Sequence, residues 1–232
     1  MAAELKMVAP EVKVTLIHSR DRLLSAEPLP GDFQDKALEL LLETGVECVM
    51  SKRVLDVESS PEPAKARQTL KLSDGSEMHA SHVINAVSKP TSTAAYLPKC
   101  VLTDEGHVSV RDTLHFNSTI PNARSHFAIG DIMEWKAIKR CGGALYGGKI
   151  VAHNIYQELL LEMGLIDEPE YFSFPKPTPA IAVALGKNAV GWSEATGDIK
   201  SGPELAKIYF EDDLGLNICW RSMGLGDQVP VK

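Results

Sequence analysis

The 232 residues include only four cysteines, Cys48, Cys100, Cys141 and Cys219, far apart and with no CxxC pair. That spacing argues against a zinc site or a disulfide framework and for reduced thiols inside a cell. Basic residues are in deficit: 24 Lys and Arg against 31 Asp and Glu leave a net charge of −7. With no basic block to neutralise phosphates, nucleic acid is excluded as a partner. No run of about 18 apolar residues occurs, so no membrane-spanning helix is expected, and peripheral association with a membrane surface stays open. The 17 glycines and 14 prolines follow no period, which removes collagen-like and low-complexity classes. Met1-Ala-Ala-Glu-Leu-Lys6 has neither signal nor transit character. The expected compartment is cytoplasmic, with mitochondrial or membrane-peripheral placement as alternatives.

What is present suits one large domain or parts of two, since 44% of residues are hydrophobic and the length supports a sizeable core. Ala2 to Val8 reads as the tail of a helix that Pro10 ends. Val12 to Ile17 reads as a buried parallel strand. After the break at Glu27-Pro-Leu-Pro-Gly31, Asp32 is a candidate N-cap for a helix whose face is Phe33, Ala37, Leu40, Leu41 and Thr44. Gly45 stands where a left-handed residue closes a helix. Val46 to Met50 is the next strand, which makes a βαβ unit with parallel strands. Residues 58–66 read as a mobile polar loop. Ser73-Asp-Gly-Ser76 between two alternating segments signals a hairpin. His82 to Val87 reads as another buried strand, stopped by Lys89-Pro90.

Farther on, His107 to Val110 and His126 to Ile129 read as short strands. The second runs into Gly130-Asp131. Gly142 to Met163 reads as a long helix with an apolar stripe through Leu145, Val151, Ile155 and Leu159. The tail holds three strand-like runs, Ile181 to Leu185, Ala206 to Phe210 and Leu216 to Trp220, so it is expected to be rich in β-structure.

Two places carry chemistry. The first strand exits into His18-Ser19-Arg20. At that position of a dinucleotide-binding fold an acid would accept from the 2′-hydroxyl of NAD, whereas Arg with small polar neighbours pairs with the 2′-phosphate of NADP. No acid stands there. The second place is Ile129-Gly130-Asp131, followed by the helix start Cys141-Gly-Gly143. Gly130 lets backbone approach a ligand, Asp131 can accept from ribitol hydroxyls, and a helix N-terminus offers N–H groups to a flavin carbonyl.

The order of these features resembles the pyridine-nucleotide–disulfide reductase superfamily. Within it, the nearest group is the apoptosis-inducing-factor-like flavoproteins of the ferroptosis-suppressor type. Glu11 to Arg20, Gly106 to Val110, Phe127 to Asp131, Val151 to Ile155 and Ile218 to Met223 carry the resemblance. It implies an α/β chain with a partial double dinucleotide-binding, Rossmann-like fold and a C-terminal α+β interface segment. Residues 1–90 correspond to the later part of an NAD(P)H-binding domain, 91–166 to the later part of a FAD-binding domain, and 167–232 to the interface segment. It also implies FAD as cofactor, NAD(P)H as electron donor and an acceptor of the quinone class. Gly130 and Asp131 match the family's FAD motif. Lys139, Arg140 and Cys141 match the stretch beside the isoalloxazine ring, and His18 and Arg20 the adenosine-ribose end of the NAD(P)H site.

The family pattern also calls for a G-x-G-x-x-G turn for each dinucleotide, and none occurs; Gly142-Gly143 and Gly147-Gly148 have the wrong spacing. The Ala-Thr-Gly type of turn is replaced by Ala86-Val-Ser-Lys-Pro90. The expectation is therefore the C-terminal part of an oxidoreductase. The alternative is a truncated, non-catalytic remnant that acts as a protein-binding module. Cys141 is read first as a small buried hydrophobe and Lys139 as a solvated surface residue. Trp135 is read as a half-buried cover of the core. His107, His115 and His126 lack metal-ligand spacing, and no metal is assigned.

Overall fold

The computed structural model describes residues 1–59, 68–87, 96–135, 138–175, 178–227 and 229. Two compact units emerge, and the chain alternates between them: residues 1–88 with 181–214, and residues 89–180 with 215–232. The segment from 167 onward is thus divided between them.

In the first unit, α1 (Ala2–Val8) is followed by β1 (Thr15–Ile17), α2 (Gly31–Glu43) and β2 (Glu47–Val49). β1 and β2 are parallel, with Leu16 opposite Cys48, so β1-α2-β2 is the expected crossover unit. The strands are shorter than their apolar runs and only half-buried. The reason is that their sheet has two strands among the described residues, which leaves each with an open edge. α2 buries Phe33, Ala37, Leu40 and Leu41 as its spacing requires, and Gln34 beside them. Each Leu or Phe so buried contributes about 1.5–3 kcal/mol. Asp32 does not cap this helix. Pro30 holds the N-cap position, and Asp32 lies in the first turn, where its charge favours the helix dipole. Gly45, at φ +83°, closes the helix as expected.

β3 (Val54–Ser59), β4 (Gln68–Leu72) and β5 (Glu77–Ala80) form an antiparallel sheet, with the Asp74-Gly75 turn between the last two. His82 to Val87 is not a buried strand. It is unpaired among the described residues, with Ile84 63% and Val87 85% exposed. Most of the proposed polar loop, and the Lys89-Pro90 stop, lie outside the described residues. The unit is completed by β6 (Ala180–Leu185), β7 (Asn188–Ser193), β8 (Ile199–Gly202) and α4 (Pro203–Phe210). α2 and α4 both pack on β7, where Ala189 and Val190 are fully buried.

The second unit is built around α3 (Cys141–Glu162) and α5 (Leu216–Ser222). His107 to Val110 and His126 to Ile129 are extended but form single bridges and no strands: Val108 with Leu102 and Met133, Val110 with Phe116, Phe127 with His115. Two apolar clusters fill it, one around Val101, Val108 and Phe116, the other around Leu114, Met133, Ile150 and Phe174. The buried face of α3 is Gly147, Ile150, Asn154 and Glu158. The expected stripe is displaced by about one position, and Ile155 and Leu159 face solvent. Buried polar groups decide this. Asn154 Nδ2 donates to the carbonyls of Thr113 (2.8 Å) and Phe172 (2.9 Å), and its Oδ1 accepts from Phe172 N (2.8 Å). Glu158 accepts from Arg124 Nε and from the Tyr171 hydroxyl.

The tail is mixed, with the strands β6, β7 and β8 beside two helices. Of its three runs only the first is a strand; Ala206 to Phe210 lies in α4 and Leu216 to Trp220 in α5. Pro203 opens α4 with Glu204 in the first turn, a start that suits Pro and an acid.

Candidate functional site

In the second unit, the extended chain through Ile129 turns sharply at Gly130, whose φ of +80° is a left-handed conformation that side chains disfavour. The tight turn Gly130–Ile132 brings Asp131 to the surface. The start of α3 stands beside it. A Cβ on Gly130 would lie 3.8 Å from Ala144 Cβ, ordinary contact, so backbone conformation and not crowding calls for glycine here.

Between the turn and the helix start lies a cleft of about 210 Å³, with Gly130, Asp131, Lys139 and Arg140 on its polar side. Trp135 and Phe174 form its apolar wall, their ring centroids 4.7 Å apart. Trp135 is half-buried against the core, as its sequence position implies. The volume suits part of a ligand and not a whole dinucleotide.

Lys139 is not a solvated lysine. It is half-buried, and its Nζ donates to the Asp131 carbonyl at 2.7 Å. Burial lowers its pKa, with the Asp131 charge partly opposing. Arg140 occupies the N-cap of α3, makes no side-chain cap, and donates from its guanidinium to the Lys139 carbonyl at 2.6 Å. The amides of Cys141 and Gly142 therefore point out of the helix end without a capping side chain, while those of Gly143 and Ala144 donate to the Arg140 carbonyl. A Cβ at Gly142 or Gly143 would meet nothing within 4 Å, so the space before the helix start is open.

Cys141 is the first residue of α3 and is exposed, contrary to the buried reading. Nor is it isolated: its Sγ lies 3.9 Å from Cys219 Sγ on α5. Of the residues singled out in sequence, Gly130, Asp131, Lys139 and Arg140 line one cleft and Cys141 follows directly at the helix start. Phe174 was not singled out, and Gly147 and Cys219 were given no role at this site. The aromatic and proline-rich segment around Phe174 was the available signal for the first.

His18 and Arg20 belong to the other unit, at the carboxyl end of β1. His18 Nε2 is 3.3 Å from Ser25 Oγ, and the Arg20 guanidinium donates to the Ser25 carbonyl. Both side chains thus gather on one loop at the C-terminal edge of the parallel pair, the edge at which open α/β sheets bind ligands. Arg22, the neighbouring cation, is 3.3 Å from Asp35 of α2 and is already paired.

The described residues hold no cluster of three or more metal-ligating side chains, and no helix among them is long and apolar enough to cross a membrane.

A family model described as pyridine nucleotide-disulphide oxidoreductase matches residues 1–148. Oxidoreductase OXR1 of Ajellomyces capsulatus is 48% identical over 229 residues, covering 98% of this chain and 49% of that protein. Ferroptosis suppressor protein 1 of Taeniopygia guttata is 25% identical over 230 residues, covering 97% of this chain and 57% of that protein. The chain thus spans about half the length of these relatives. A NAD-dependent persulfide reductase structure from A. fulgidus matches with a TM-score of 0.59 at 19% identity, over 85% of this chain and 33% of that one. At that identity the likeness concerns the fold.

Proposed function

Because the chain belongs to the pyridine nucleotide-disulphide oxidoreductase family and has its Rossmann-like α/β fold, we propose that it carries two parts of an FAD-dependent NAD(P)H oxidoreductase. One is the ring-and-ribitol side of a flavin site, at the cleft between Gly130 and α3. The other is the adenosine-ribose end of a nicotinamide-nucleotide site, at His18 and Arg20. A bound flavin would take hydride from NAD(P)H and pass electrons to an acceptor of the quinone class.

The observation that carries this reading is that Gly130, Asp131 and the uncapped start of α3 border the same cleft. The Asp131 carboxylate is exposed and free of any helix-capping duty, so it can accept hydrogen bonds from ribitol hydroxyls. The α3 amides and the positive end of its dipole favour a ring carbonyl that gains negative charge on reduction. Trp135 and Phe174 supply an apolar wall that keeps water from one side of the ring. Lys139, tied to the Asp131 carbonyl, fixes the turn. On the nucleotide side, the Arg20 guanidinium is the charge available to a 2′-phosphate.

These residues fit the ring and the ribitol but not the pyrophosphate. No G-x-G-x-x-G turn occurs in the 232 residues, and Asp131 would repel phosphate, not bind it. This chain is therefore expected to bind riboflavin and FAD weakly and about equally. Fluorescence titration of the purified protein with each flavin tests this, alongside NAD(P)H oxidation with a quinone. Absence of binding by either flavin would reject the cleft as a flavin site. A purified protein that stays yellow and oxidises NAD(P)H would show a phosphate site of another kind.

A further inference from the structure

We propose that Cys141 and Cys219 form a redox-active dithiol, oxidised to an intrachain disulfide by low-molecular-weight disulfides. The two residues are 78 positions apart in sequence, yet their sulfurs lie at 3.9 Å, and both belong to the second unit. A disulfide requires a separation of about 2.05 Å. The remaining gap is under about 2 Å. Cys141 is exposed at the first position of α3, whereas Cys219 is half-buried on α5, which packs against α3.

This asymmetry of exposure sets the order of events. The Cys141 thiolate attacks one sulfur of the reagent, the reagent's S–S bond breaks, and one thiol leaves after taking a proton from water. Cys219 then loses its proton to solvent and attacks the Cys141 sulfur. That forms the protein disulfide and releases the second thiol. Two electrons and two protons pass from the protein to the reagent, which becomes two thiols. The second step is intramolecular between groups already in contact, and so outruns attack by a further molecule of reagent. The product ties α5 to the first residue of α3, next to Arg140 and Gly143 at the cleft. The inference does not depend on flavin binding there.

The test is to incubate the reduced protein with oxidised glutathione at low protein concentration, then measure intact mass and map peptides without reduction. The expected product is a monomer in which the Cys141 and Cys219 peptides are linked, the linked pair lighter by two hydrogens, with two thiols released for each link formed. Dithiothreitol should reverse the link. In Cys219→Ser the expected product is a stable glutathione adduct on Cys141. Cys48 and Cys100 serve as internal controls. A wild-type protein that retains glutathione on Cys141, stays unmodified at both positions, or links Cys141 to another cysteine would overturn the proposal. The wild-type result decides the matter even if the variant does not fold.

Discussion

Gly147 of α3 and Ile129 are packed closer than any other residue at 147 would allow: a Cβ there would lie 2.6 Å from Ile129 Cγ1, with Phe174 at 3.2 Å. This contact seats the helix on the segment that leads into Gly130, and so sets the width of the cleft. Alanine at 147 gains about 1 kcal/mol of helix propensity over glycine. It also forces Ile129 out of place, an overpacking cost of about 1–3 kcal/mol. We expect Gly147→Ala to lower stability by about 1 kcal/mol net in urea unfolding. A stabilised variant would mean that Ile129 relocates freely.

Asn154 gives a second prediction. It is fully buried, and its amide satisfies two carbonyls and one backbone N–H. Replacement by alanine leaves those three groups without partners. The expected loss is about 2–4 kcal/mol, read from the denaturant midpoint. Asn154→Asp keeps the acceptor for Phe172 N but removes both donations, and is expected to be destabilising as well. A loss below 1 kcal/mol for either would show that water replaces the amide.

Stability should fall on both sides of a neutral plateau. Burial, helped by the Arg111 charge and opposed by Glu158, depresses the His115 pKa below its ordinary 6.5. The unfolded chain therefore takes up that proton first, and stability declines as pH drops below 6.5. Burial raises Glu158, but hydrogen bonds from Tyr171 and Arg124 outweigh it and hold the carboxyl below 4.5. That contribution is full above 4.5 and is lost as pH falls through the folded value. Tyr171 is pushed up from 10.0 to about 12 by burial and by its bond to Glu158. Its contribution is full below 10.0 and is lost as pH rises toward 12. Urea midpoints measured across pH check all three, and an acid limb first seen below 4.5 would remove His115 from the account.

The nucleotide end of the proposal is testable without flavin. Adenosine 2′-phosphate carries the group that distinguishes NADP from NAD. Arg20→Ala should weaken its binding about tenfold or more, in keeping with roughly 1–3 kcal/mol for a charge-assisted contact. Adenosine 5′-phosphate should be unaffected. Equal losses for both, measured by calorimetry, would show that Arg20 does not meet the 2′-phosphate.

Much of the first unit could be read directly from the chain, because its signals are local. The α2 face from Phe33 to Leu41, the Gly45 closure, the Asp74-Gly75 hairpin and the parallel β1–β2 pair all follow from spacing and turn chemistry. Strand readings failed where a partner strand was needed. His82 to Val87 is apolar enough for a buried strand, but nothing among the described residues pairs with it. The runs at Ala206 and Leu216 are short and apolar, a length at which helix and strand look alike. Pro203 and Glu204 were the signal for the helix at the first. On α3 the apolar stripe misled because Asn154 and Glu158, polar but fully partnered, take the buried positions. The Gly130-Asp131 turn and the helix start were legible as a pair of neighbours in sequence. The approach of Cys219 to Cys141 was not, since no pattern relates residues so far apart on different helices.

The alternation of the chain between its two units also bears on its synthesis. The apolar face of α2 is covered by β7, which a ribosome makes long after α2 has emerged. At cellular elongation rates that interval is about 7–30 s. During it Phe33, Leu40 and Leu41 lack the cover that β7 gives them, and the nascent chain offers a chaperone a helix one of whose packing partners has not yet been translated.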